Sequence, residues 1–174
     1  MAITRLNHAV LYVRDVRRSV DFYTHVLGFR VVSDMAQMPG AAFLQAAESS
    51  NDHDLGLFEI GAGAGASLAG KQTVGLYHLA WEVDTLSELA RMQTALSEAG
   101  ALVGASDHSS TKALYGADPD GIEFEVSWLV PAEFVDDEVR AGRTRIRPLD
   151  IAKEIERYGA ETRGGVGISH AAIG

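Results

Sequence analysis

Leu76-Tyr77-His78-Leu79-Ala80-Trp81-Glu82-Val83-Asp84 decides the fold, because it repeats Leu6-Asn7-His8-Ala9-Val10-Leu11-Tyr12-Val13 near the start of the chain. Both runs are rich in β-branched and aromatic residues and read as buried strands. His78 stands in the place of His8. The segment after each run also repeats. After the first, Asp15 is set to cap a helix whose Val16, Val20, Tyr23 and Leu27 share one face, with Gly28 as its stop. After the second, Asp84 is the matching cap, Leu86, Leu89, Ala90, Met92, Gln93 and Leu96 set the helix faces, and Gly100 is the stop.

Strands complete each copy. In the first they are Phe29–Ser33, Ala41–Gln45 and Asp54–Ile60. In the second, Ala101-Leu102-Val103 precedes a hairpin whose turn is Ala117-Asp118-Pro119-Asp120-Gly121. Pro119 presets φ, the aspartates can bond their own backbone, and Gly121 supplies φ > 0. Along the outgoing strand the period of two puts Glu123 and Glu125 on one face and Ile122, Phe124 and Val126 on the other. Phe124-Glu125-Val126 answers Phe58-Glu59-Ile60 of the first copy. The chain is thus two copies of one βαβββ unit, which is an α+β organisation.

Between the copies, Gly61-Ala62-Gly63-Ala64-Gly65-Ala66-Ser67-Leu68-Ala69-Gly70 reads as a flexible linker. No Gly-Lys-Ser/Thr ending comes after it, so its glycines do not form a phosphate loop. The remainder, residues 131–174, carries one predicted helix, Leu149–Tyr158, with Ile151, Ile155 and Tyr158 as its stripe and Gly159 as its stop. Its glycine-rich end, from Gly164, is expected to be mobile. The extension reads as a packing or dimer arm without chemistry of its own, and His25 and His170 carry no assignment.

A chain of 174 residues with 47% apolar content can bury one good core. A net charge of −9 argues against a nucleic-acid footprint and against anionic membrane surfaces. The absence of cysteine removes disulfides and thiolate chemistry. The first residues show no signal-peptide pattern and no run is long enough to span a bilayer, so the expected location is the cytoplasm.

Two histidines at equivalent positions of two copies suggest a shared task. A pseudo-two-fold relation between the copies would bring His8 and His78 to one point, and Glu125 can join them. Two imidazoles and one carboxylate on one side of an ion are the facial triad of non-heme Fe(II) oxygenases.

The paired units with His8, His78 and Glu125 resemble the vicinal oxygen chelate superfamily, which includes glyoxalase I, bleomycin-resistance proteins, fosfomycin-resistance transferases and extradiol ring-cleaving dioxygenases. The run Asp107-His108, Leu114-Tyr115, Asp118-Pro119-Asp120-Gly121 and Glu125 is similar to the extradiol signature; Ser106 departs from the residue types usual at its first position. The resemblance implies a curved mixed sheet or open barrel around a metal site in residues 1–130, with module one at 3–60, a linker at 61–73 and module two at 74–129. It implies Fe(II), with Mn²⁺, Ni²⁺ or Zn²⁺ as other occupants of such a site, and a catechol-type diol and O₂ as substrates, in aromatic compound catabolism. It makes His53 the acid/base that shuttles a catechol proton, and His108 and Tyr115 donors to substrate oxygens. Extradiol enzymes of the usual kind carry four such units and this chain carries two, so part of the usual pocket wall is missing or is supplied by the tail or by a partner, for which a homodimer is expected.

Two alternatives stand beside this reading. A glyoxalase-like isomerase or lyase would take Glu59 as a fourth ligand; Glu59 lies six residues after His53, so in a regular strand the two share a face. A bleomycin-type protein would only bind a ligand.

Overall fold

Each βαβββ unit forms with the element order its sequence pattern predicts, and each has the same sheet order. The strands at Ala9–Val13 and Leu79–Glu82, expected to be buried, instead expose alternate residues, Val10 and Tyr12 in the one and Ala80 and Glu82 in the other. The computed structural model describes residues 2–32, 38–69 and 72–165. In the first unit β1 (Ala9–Val13) leads to α1 (Val16–His25), β2 (Arg30–Val31), β3 (Ala41–Gln45) and β4 (Leu55–Glu59). The strands are ordered β1-β4-β3-β2, with β1 and β4 parallel and the other pairs antiparallel. In the second, β5 (Leu79–Glu82), α2 (Leu86–Glu98), β6 (Leu102–Asp107), β7 (Thr111–Ala117) and β8 (Glu123–Leu129) repeat that plan, ordered β5-β8-β7-β6. β5 and β8 are the parallel pair. The architecture is α+β with two mixed sheets and no closed barrel. Among the described residues no helix is long and apolar enough to cross a membrane.

The chain divides into two compact units, Met1–Ser67 with Asp118–Gly121, and Leu68–Ala117 with Ile122–Gly174. The first has its core between α1 and one face of its sheet. Tyr23 and Leu27 lie buried with Leu11, Val13, Leu44, Leu55 and Leu57. Asp15 caps α1 by accepting from the Arg17 and Arg18 amides. The turn Asp118–Gly121 groups with this unit. Asp120 accepts from the Arg14 amide and from its guanidinium, each at 2.8 Å, and the Tyr23 hydroxyl donates to Asp118 at 3.3 Å. Gly121 sits at φ 80° and its N–H donates to the Asp118 carbonyl, which is the turn the sequence predicts.

The second unit buries Leu86, Leu89, Met92 and Leu96 of α2 together with Leu114, Phe124, Val126 and Trp128. Alternation on β8 holds: Phe124, Val126 and Trp128 are buried while Glu123 and Glu125 lie on the other face. Gly116 pairs with Phe124, and a Cβ there would stand 2.5 Å from Phe124 Cζ, so only glycine fits. The α2 cap is Thr85, not Asp84; its hydroxyl accepts from the Glu88 amide at 3.2 Å, one residue later than the predicted cap. Gly100 stops the helix as expected, at φ 64°, with the Ala101 N–H donating to the Leu96 carbonyl. Leu114→Ala is expected to cost about 2–5 kcal/mol of stability, because its side chain is fully buried; urea unfolding checks it.

Beyond β8 come a 3-10 turn (Ala132–Phe134), α3 (Asp137–Gly142), β9 (Arg147–Pro148) and α4 (Ile151–Tyr158). α4 starts two residues after its predicted beginning because Asp150 caps it, and Gly159 ends it at φ 92°. α3 and β9 carry no sequence signal. β9 adds a fifth strand beside β6, pairing Arg147 with Asp107. The glycine-rich end beyond Gly165, His170, Ser33 and Gly70 lie outside the described residues.

Candidate functional site

The expected site residues gather in two sets, one per unit. In the first unit β1 and β4 begin side by side, with the Ala9 N–H donating to the Asp54 carbonyl at 2.9 Å. Residues just before the two strands are therefore neighbours. His8 precedes β1 and His53 precedes β4, and their ring centroids are 4.5 Å apart. Phe43 of β3 meets the His53 ring edge to face at 5.1 Å.

Each ring is oriented by the residue before it. Asn7 Oδ1 lies 2.7 Å from His8 Nδ1. An amide oxygen only accepts, so Nδ1 carries a proton, and in the neutral ring this leaves the lone pair on Nε2. Asp52 Oδ2 stands 2.9 Å from His53 Nδ1 and fixes that ring the same way. Asn7 and Asp52 escaped the sequence reading; the signal was a hydrogen-bond acceptor immediately before each histidine. Asp54 ties the loop that carries His53. It accepts from the Ala46 amide, the Ser49 hydroxyl and the Asn51 side chain, and Asn51 in turn donates to the Asn7 carbonyl.

In the second unit His78 directly precedes β5, and the register places Ala80, Glu125 and Tyr115 in one row across β5, β8 and β7. Side chains opposite one another share a face. Glu125 Oε2 lies 3.3 Å from His78 Nε2, and both side chains are largely buried. His108 follows β6, and its Nε2 is 2.9 Å from the Tyr115 hydroxyl. The rings of His78 and Tyr115 are 6.0 Å apart, and the Tyr77 ring lies tilted against His78 at 4.7 Å. Burial, then the charge of Glu125 and the neighbouring Tyr77, push the Tyr115 phenol up, which keeps it protonated.

His78 and Glu125 fit a metal ion as donors. Two ligands each about 2.1 Å from one ion and at right angles stand about 3.0 Å apart, close to the observed separation. Among the described residues His78 Nδ1 is buried without a hydrogen-bond partner, while the Glu125 carboxylate stands at Nε2. The same spacing serves an imidazolium–carboxylate pair. Among the described residues no three His, Asp or Glu side chains form a ready-made metal cage. The expected trio is divided, with His8 in the first unit and His78 and Glu125 in the second.

Glu59 differs from its expected setting. His53 lies in the loop before β4 rather than in the strand, so the even spacing does not put the two on one face. Glu59 Oε2 accepts from the Val16 amide at 3.0 Å, at the start of α1. Nor is Glu59 the counterpart of Glu125. Glu125 pairs with Ala80, two residues after His78, whereas the residue two after His8 is Val10, which pairs with Gly56. The position matching Glu125 therefore has no side chain, and a Cβ there would point at the Phe43 ring, 3.5 Å away.

The Glyoxalase/Bleomycin resistance protein/Dioxygenase superfamily model matches residues 5–126, most of the chain. The chain belongs to this superfamily. A catechol-2,3-dioxygenase of Bacillus subtilis (strain 168) is 32% identical over 124 residues, 71% of this chain and 41% of that protein. This superfamily member thus spans about two fifths of the length of that curated relative. A glyoxalase/dioxygenase from Nostoc punctiforme shares the fold at a TM-score of 0.58 and 22% identity, covering 71% of this chain and 89% of the other. A lactoylglutathione lyase from Agrobacterium tumefaciens does so at 0.53 and 20%, covering 73% and 95%. Superfamily folds of this kind thus carry different chemistries, and the choice between them rests on side chains.

Proposed function

We propose that this protein is an Fe(II)-dependent extradiol dioxygenase that cleaves a catechol-type ring beside its two hydroxyls. One observation carries the reading: the His78–Glu125 pair shares a sheet face with a hydrogen-bonded His108–Tyr115 pair. A ligand pair beside two further hydrogen-bonding side chains suits a bound diol. The kinship with a catechol-2,3-dioxygenase supports it. Gly56 in the place of a second carboxylate disfavours a glyoxalase-like set of two His and two Glu.

In this reading His8, His78 and Glu125 hold the ion. When bound, iron supplies the Lewis acidity that gathers adjacent oxygens and the redox activity that O₂ chemistry requires. His53, held through Nδ1 by Asp52, takes a hydroxyl proton at Nε2 and returns one later in the cycle. His108 and Tyr115 donate to the substrate oxygens and stabilise charge as it develops there. Phe43 packs edge to face against the His53 ring and helps hold it in place. A second copy of the chain would complete the pocket wall.

The test is anaerobic loading with Fe(II), then oxygen uptake with a panel of catechols while a yellow ring-opened product is followed by absorbance. The expected result is one O₂ consumed per diol cleaved. Tight binding of a diol without oxygen uptake would favour a ligand-binding role instead. Glu59→Gln separates the isomerase reading, because a glutamine can still accept from the Val16 amide. Iron content is expected to be unchanged in that variant; loss of the metal would restore Glu59 as a ligand.

A further inference from the structure

Residues 131–174 come after the stretch that matches the superfamily, yet two of their helices bear on the turn that carries His108. That turn, His108-Ser109-Ser110, joins β6 to β7. Ser109 sits at φ 68°, the one non-glycine residue with positive φ among the described residues. A serine there is strained by roughly 1–3 kcal/mol and stays only where its surroundings over-determine it.

Three contacts do so. Asp107 Oδ1 accepts from the Ser109 amide at 2.7 Å and from Lys112 Nζ at 2.6 Å. Lys112 is 1% exposed, and its second carboxylate is Glu154 of α4, at 3.0 Å. On the other side the Ser109 hydroxyl donates to the Val139 carbonyl of α3 at 3.0 Å. The fit against α3 is tight: a Cβ on Gly142 would stand 2.7 Å from Ser109 Cβ, and closer still to its Oγ. α4 thus reaches the turn through a buried ion triad, and α3 touches it directly.

We propose that the C-terminal extension is a positioning device for His108. α3 acts through Ser109 and α4 through Glu154–Lys112–Asp107, together holding the turn in the conformation that sets His108 against Tyr115. None of these residues belongs to the set proposed to hold the ion or the substrate. The inference rests on the reading of His108 as a donor to substrate, and it adds that the extension tunes the rate through that one ring.

The test compares wild type with Gly142→Ala, which pushes Ser109, and with the milder Glu154→Gln, each also combined with His108→Gln. The first readout is the His108 ring proton resonance by NMR, assigned by its loss in His108→Gln and independent of turnover. Both single variants are expected to shift it, Gly142→Ala more. The second readout is kcat. A fall of roughly 10–100-fold is expected for Gly142→Ala with iron content retained, and no further fall when His108 is already Gln. Should Gly142→Ala not fold, Glu154→Gln carries the same test with a smaller shift. An unmoved His108 resonance in the variants that fold overturns the proposal, as does an equal loss of kcat in the His108→Gln background. If wild type cleaves no diol, the proposed reaction fails while the NMR readout still decides the positioning.

Discussion

His78→Ala is expected to lose bound iron and ring cleavage together, the largest effect of any single substitution. His78 and Glu125 are the one candidate ligand pair already in contact, at 3.3 Å, on strands whose register is fixed by a parallel ladder. Removing the imidazole takes away one of three protein donors. Loss of an outer-shell partner alone costs roughly 10–100-fold in metal affinity, so loss of a ligand should cost more. Glu125→Ala should behave alike and leaves His78 with no polar neighbour at Nε2. Neither change touches the core between α2 and the sheet, so thermal unfolding of the iron-free forms should match that of the iron-free wild type. Iron analysis by mass spectrometry after Fe(II) loading and desalting checks both. Stoichiometric iron in either variant would remove that residue from the ligand set.

His53→Gln should separate chemistry from metal binding. Its ring is fixed by Asp52 at Nδ1 and by Phe43 at its edge, which leaves Nε2 as the working atom. Glutamine preserves much of the volume and can hydrogen-bond, but it cannot take up a proton near neutrality. The expected result is full iron content with kcat lower by about 10²–10⁴-fold. The limb of the pH–rate profile that reports the acid/base group should vanish with it. A variant with normal turnover and an unchanged profile would take His53 out of the mechanism.

Much of the fold was legible because its determinants are local. Asp15, Gly100 and the Asp118–Gly121 turn act within a few residues, and the alternation along β8 needs only the period of a strand. The matching places of His8 and His78, each just ahead of the first strand of its unit, were legible because the sequence repeats. Glu59 misled because a short likeness, Phe-Glu-Ile against Phe-Glu-Val, hid a difference in register that only strand pairing reveals. The cap at Thr85 rather than Asp84 is a one-residue choice between two good acceptors. The extension was the least legible part. β9 is two residues long, and the ion triad joins Asp107 and Lys112 of one hairpin to Glu154 of a distant helix, so neither has a periodic signature.

If His8 completes a site begun by His78 and Glu125, iron stoichiometry in His8→Ala will show it without recourse to turnover. His8 is exposed, and its contacts are with Asn7 and His53, so the substitution should leave both sheets intact. One iron per chain is expected in wild type and almost none in His8→Ala under the same loading. One iron per chain in both would contradict the shared site.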